Sequence, residues 1–200
     1  MTRLSRITAL GLAITAFLPS AAFAHTGIGG TSGFIHGFVH PVSGLDHVLA
    51  MLAVGILAAR LGGRAIWLVP LAFVTMMIVG GMAGVSGVPL PFVELGNTGS
   101  IIVLGFVIAL GSQLSVPVAT ALVGFLAIFH GHAHGTEMPI DLAGISYGAG
   151  FATATALLHI AGLALGFGAY WMASTWSDRA SRIAGGAVAV TGLGLMAGLI

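Results

Sequence analysis

Two short segments rich in histidine and carboxylate interrupt an otherwise apolar sequence. The first contains His36, His40, Pro41, Gly44, Asp46 and His47; the second runs Phe129, His130, Gly131, His132, Ala133, His134, Gly135, Thr136, Glu137. Residues four and seven apart share a helical face, so a helix through the second segment projects His130, His134 and Glu137 together, with His132 pointing elsewhere. The same spacing places His36, His40 and His47 near one face, with Asp46 beside it. Two imidazoles one turn apart form a chelating pair, and a carboxylate on the next turn offsets the charge of a bound cation. The sequence has no cysteine. Imidazole with carboxylate suits nickel, cobalt, zinc or copper(II), and disfavours copper(I). Glu94, at the start of another apolar stretch on the same predicted side, completes the candidate ligands: His36, His40, Asp46, His47, Glu94, His130, His134 and Glu137.

These residues sit in a chain that is 58% hydrophobic and 6% charged over 200 residues, with a mean hydropathy of +1.10. A soluble domain carries about 25% charged residues, so most of this chain belongs in lipid. The formal charge of +1 gives no footing for nucleic acid. Residues 1–24 read as a cleavable signal peptide: Arg3 and Arg6, an apolar core from Ile7 to Leu18, and Ala22-Phe23-Ala24 before the cut. The rest, 25–200, reads as one membrane domain of six helical spans at about 34–59, 65–85, 93–112, 116–135, 143–172 and 181–199. The expected class is therefore all-α, a polytopic transmembrane bundle.

Charge orients the spans. Arg60 and Arg64 follow the first, and Arg179 and Arg182 flank the start of the sixth, while the 86–92 and 136–142 connections carry no basic residue. The positive-inside rule then puts the arginines in the cytoplasm of a bacterial inner membrane and the mature N-terminus in the periplasm. Trp171 and Trp176 fit as interfacial anchors near the inner end of the fifth span. The 32 glycines include G-x-x-x-G pairs such as Gly80/Gly84 and Gly131/Gly135, a spacing that lets helices approach closely in lipid. Pro41 is expected to kink the first span, and Gly44 to admit a close neighbour.

An ionisable residue inside a span costs roughly 2.5–3.5 kcal/mol on the insertion scale, so those present need partners and mark function. This topology gathers both histidine segments and Glu94 in the outer half of the membrane. His159 stands alone near the middle of the fifth span and reads equally as a hydrogen-bonded core histidine or a deeper ligand. His25 would head a mature chain. Asn97, Gln113 and Thr153 read as interhelical hydrogen-bond partners, and Met51, Met76 and Met77 as packing.

The two motifs resemble those of the HupE/UreJ family of nickel/cobalt permeases. The family pattern of His, five residues and Asp-His appears as His40 through His47. Its pattern Phe-His-Gly-x-Ala/Val-His-Gly-x-Glu appears as Phe129 through Glu137. The resemblance covers essentially the whole mature chain. It implies transport of nickel, in some members cobalt, in the service of hydrogenase, urease or cobalamin. It also implies metal-handling roles for His40, Asp46, His47, His130, His134 and Glu137. The ion would be cargo, with no permanently bound cofactor, and the expectation is a carrier and no enzyme. Three other readings stay open on the residues: a membrane metalloenzyme, a haem-binding electron carrier, and export instead of uptake. The first lacks H-E-x-x-H, and the second needs lone facing histidines instead of clusters with carboxylates.

Overall fold

The computed structural model describes residues 33–138, 142–172 and 174–200. The predicted signal peptide, His25 and Asp141 lie outside them, as do the side chains of Trp171 and Trp176. The described residues form seven helices and no strand: α1 (Phe34–Ser43), α2 (Leu45–Leu61), α3 (Ala65–Val85), α4 (Val93–Ala109), α5 (Val116–Glu137), α6 (Leu142–Met172) and α7 (Ser174–Met196). The chain is thus all-α. Three helical segments are long and apolar enough to cross a membrane: Ala65–Val85, Val116–Glu137 and Ala143–Gly168. A fourth crossing is possible if α1 and α2 count together. α4 is apolar but only 17 residues long.

The first expected span is not one helix. α1 and α2 meet at 85°, and the break falls at Gly44, whose backbone is extended (φ −95°, ψ 125°). Pro41 was the expected kink, yet it sits buried inside α1. Its missing donor weakens the last turn, and the chain leaves the helix three residues on. The shared-face expectation for His36, His40 and His47 therefore fails, because helical phase does not carry across the break. An interrupted helix at membrane depth is tolerated where the freed backbone lies against protein or lines a cavity.

Glycine sets how the helices pair. A side chain on Gly131 would run into the Met77 carbonyl, and one on Gly135 into the Gly81 carbonyl, so α5 lies backbone-to-backbone on α3. Gly55 meets the His159 carbonyl and Gly162 where α2 crosses α6, and Gly105 meets Gly185 where α4 crosses α7. In lipid there is no hydrophobic drive between helices, so this close approach and its dispersion contacts hold the bundle. The core between them is Met51, Val54, Leu57, Phe73, Ile101, Leu104 and Ile108, each fully buried. Met51 and Met77 are core residues, as their sequence context suggests.

Two polar regions lie at opposite ends of α2. Its last turn carries Arg60, which donates to Asp178 Oδ1 (2.8 Å) and to Ser181 Oγ (2.8 Å) on α7. Arg182 lies 3.6 Å from Asp178 Oδ2 and donates to the Ala109 carbonyl at the end of α4 (2.9 Å). The first turn of α2 carries Asp46 and His47.

Candidate metal centre

The bend at Gly44 turns the last turn of α1 over the first turn of α2 and brings both against the C-terminal end of α5. His47 sits buried between two partners. Its Nδ1 is 3.0 Å from Asp46 Oδ1, and its Nε2 is 2.5 Å from Nε2 of His134. A carboxylate on Nδ1 fixes the proton there and leaves the Nε2 lone pair aimed at His134, an arrangement that orients metal-binding histidines. Asp46 is held at the positive end of the α2 dipole, which favours its anion. His40, on α1, closes the group from above: its ring centroid is 4.8 Å from that of His134 and 6.4 Å from that of His47. Ligand atoms of His40, His134 and Glu137 all lie within 4.8 Å of one another. Ligand bonds of about 2 Å would bring such atoms to roughly 3 Å apart, so a cation would draw them together slightly.

His130 lies one turn deeper on α5, fully buried, with its ring 5.3 Å from that of His47. Its protonation can be deduced. The Ser100 hydroxyl donates its one proton to the Asn97 carbonyl (2.6 Å). The 2.8 Å contact between Ser100 Oγ and His130 Nε2 must then be donated by the imidazole. That leaves Nδ1 of His130 as a lone pair, and this buried atom has no hydrogen-bond partner. His132 instead bonds the Val88 carbonyl (2.7 Å), tying α5 to the connection before α4.

The eight candidate ligands therefore divide. His40, Asp46, His47, His130, His134 and Glu137 converge. His36 is exposed on α1, its ring 6.0 Å from that of Tyr147. Glu94 is exposed in the first turn of α4, outside the three-ligand group formed by His40, His134 and Glu137. The expected interhelical roles of the neutral polar residues also need correction. Thr153 bonds the Ala149 carbonyl of its own helix, Gln113 is exposed, and Asn97 is buried with Oδ1 unpartnered.

Sequence reasoning missed the aromatic wall. Phe151 packs its ring 4.6 Å from His134 and 6.2 Å from His47, and Tyr147 lies 6.0 Å from His40. Phe73 touches His130 at 5.7 Å. Tyr147 and Phe151 are four apart on α6, a spacing visible in the sequence but indistinguishable there from ordinary packing. The wall covers the buried imidazoles of His47 and His130 while His40 and His134 stay half-buried, and burial strengthens any electrostatic attraction there.

The fold and centre define a class: a polytopic helical membrane protein whose broken helix presents a histidine and carboxylate group to a neighbouring helix. The particular family follows from comparison. The profile described as "HupE / UreJ protein" matches residues 12–195, and the chain belongs to that family. The protein named Protein HupE from Rhizobium leguminosarum bv. viciae is 44% identical over 181 residues, covering 90% of this chain and 93% of the relative. No solved structure matches.

Proposed function

We propose that this chain carries a divalent transition-metal ion, nickel or cobalt, across the bacterial inner membrane into the cell. The observation that carries the reading is the meeting of His47 and His134, nitrogen to nitrogen at 2.5 Å, across two helices, with Asp46 and Glu137 close enough to balance a double positive charge. Membership of the HupE/UreJ family supports transport and favours nickel or cobalt over zinc. The donor set alone accepts all three. Broken helices with charged groups at the break are a recurring way to hold ions in transporters.

In this reading residues 1–24 are a cleaved signal peptide, and 25–200 cross the membrane six times, α1 and α2 together forming the first crossing. The arginine end faces the cytoplasm and the histidine end the periplasm. The ion sheds water as it meets His40, His134 and Glu137, is held by His47 with Asp46 behind it, and moves inward. His36 and Glu94, both exposed, would meet the hydrated ion first. A potential of 100 mV, negative inside, favours a doubly charged ion's entry by roughly 4.6 kcal/mol, twice the single-charge value. The ion is cargo, and the chain is a carrier and no enzyme.

Uptake of radioactive nickel by cells producing the wild-type chain or Asp46→Asn tests this. Asp46→Asn keeps the shape and removes the charge that orients His47, and uptake is expected to fall roughly tenfold to a hundredfold. Equal accumulation in the two strains would end the assignment.

A further inference from the structure

A further histidine lies beyond the centre just described. His159 on α6 is 1% exposed, and neither of its ring nitrogens has a hydrogen-bond partner. A neutral imidazole always presents one donor and one acceptor, so burial leaves both unsatisfied, an uncommon and costly state. Its neighbours are not random. Tyr147, Phe151, Thr155 and His159 recur every four residues along α6, and all four are buried. They form one ridge down the helix. The first two wall the histidine centre. The last lies eight residues past Phe151, about 12 Å further along the axis.

On the facing helix, α3, Phe73 and Met77 make the matching pair one turn apart. The Phe73 ring stands edge-on to His159 at 5.0 Å and also touches His130 at 5.7 Å. It thus bridges the innermost histidine of the centre and the isolated one. The fully buried Thr155 hydroxyl points to the Met77 sulfur at 3.8 Å, a long, weak contact. Beside His159 the backbones of α2 and α6 close on each other at Gly55 and Gly162, so the deep histidine sits at a close helix crossing.

We propose that His159, with the Thr155 hydroxyl and the Met77 thioether, is an inner relay site for a divalent transition-metal ion. It receives the ion from His130 past the ring of Phe73. The inference rests on the transport reading above. One imidazole, one hydroxyl and one thioether hold such an ion weakly, with no carboxylate to trap it, and weak binding suits a station from which the ion must leave. The Phe73 face offers a passing cation a favourable quadrupole between the two stations.

His159→Leu separates this from a packing role. Leucine fills similar space and removes two unsatisfied polar atoms, so the purified variant should melt at the wild-type temperature or above. Nickel binding to that protein, measured by equilibrium dialysis, should stay within twofold of wild type, because the outer ligands are intact. Nickel uptake by cells should fall at least fivefold. A smaller fall overturns the relay. So does a lower melting temperature, which would mean that the imidazole is satisfied in the fold, and so does lost binding, which would make His159 part of the outer centre. Asp46→Asn run in parallel tells the two proposals apart: if it loses uptake and His159→Leu does not, only the relay fails. If the wild type takes up no nickel, both fail.

Discussion

α2 carries a polar cluster at each end, and the two are built on opposite principles. At the arginine end, Arg60 and Arg182 converge on one carboxylate, Asp178, and their remaining reach goes to Ser181 and the last carbonyl of α4. Donors outnumber acceptors, yet each named contact is a finished hydrogen bond or ion pair, with Asp178 open to water. At the histidine end, hydrogen-bonding capacity is left unspent. His47 and His134 point nitrogen at nitrogen, and Nδ1 of His130 and of His134 are buried without partners. The arginine cluster ties three helices together and asks for nothing more. The histidine cluster is left short of positive charge, about 21 Å away along the 14 residues of α2 that separate Asp46 from Arg60. Buried ring nitrogens without partners are costly to a fold, and a lone pair on them is what a cation would satisfy.

The contrast breaks first at His134. Replacing it by alanine removes the nitrogen shared among His40, His47 and Glu137. Nickel affinity of the purified protein should drop by about a hundredfold or more, beyond what loss of an orienting residue costs. The fold should survive, since His134 is only half-buried and its removal takes away a buried nitrogen that has no partner. An affinity within about threefold of wild type would show that the histidine end binds no ion through this residue.

How much of this end could be read from sequence follows from helix continuity. α5 runs unbroken from Val116 to Glu137, so the spacing of His130, His134 and Glu137 translated directly into a shared face. The first segment did not translate, because the break at Gly44 resets the phase between His40 and His47. His40 reaches the site through the bend, while His36, one turn earlier, ends up exposed. A glycine three residues after a proline was the available signal, and it does not say where a chain will turn. The positions of α3 to α6 were legible from hydropathy within a few residues. α7 begins seven residues before the expected span, at Ser174, because hydropathy marks where lipid starts and the helix extends beyond it to place Asp178 and Arg182. His159 was visible as an odd residue, but only burial without partners distinguishes it from a satisfied core histidine.

Gly44→Ala sharpens the comparison with a smaller effect. The extended backbone at Gly44 accepts any residue, so strain is not the issue. A methyl there would lie 2.7 Å from Asp46 Oδ1 and 3.1 Å from His47 Nδ1, pressing on the pair that aims His47 at His134. The side chains can shift, so the fold is retained, and reduced freedom of the unfolded chain offsets the crowding by roughly 0.4–1 kcal/mol. Uptake should fall about tenfold, the lower range for an orienting residue, with the melting temperature nearly unchanged. Wild-type uptake in Gly44→Ala would mean that the Asp46–His47 geometry is not what limits transport.

The smallest effect belongs to the arginine end and is read by acid. The hydrogen bond from Arg60, with the charges of Arg60 and Arg182 behind it, holds the Asp178 carboxyl below its ordinary value of 3.8. A carboxyl depressed by folding stabilises the fold above its unfolded pKa, and that contribution is lost as pH falls through the folded one. Asp178 is exposed, so solvent screens the pair and the difference is modest. Asp178→Asn should therefore melt slightly below wild type at neutral pH, with the gap closing as pH drops below about 4. Nickel binding at neutral pH should be the same in both, because the cluster ties helices and touches no ion. A variant that kept its melting temperature but lost nickel binding would reverse the assignment of the two ends, making the arginine cluster the functional one.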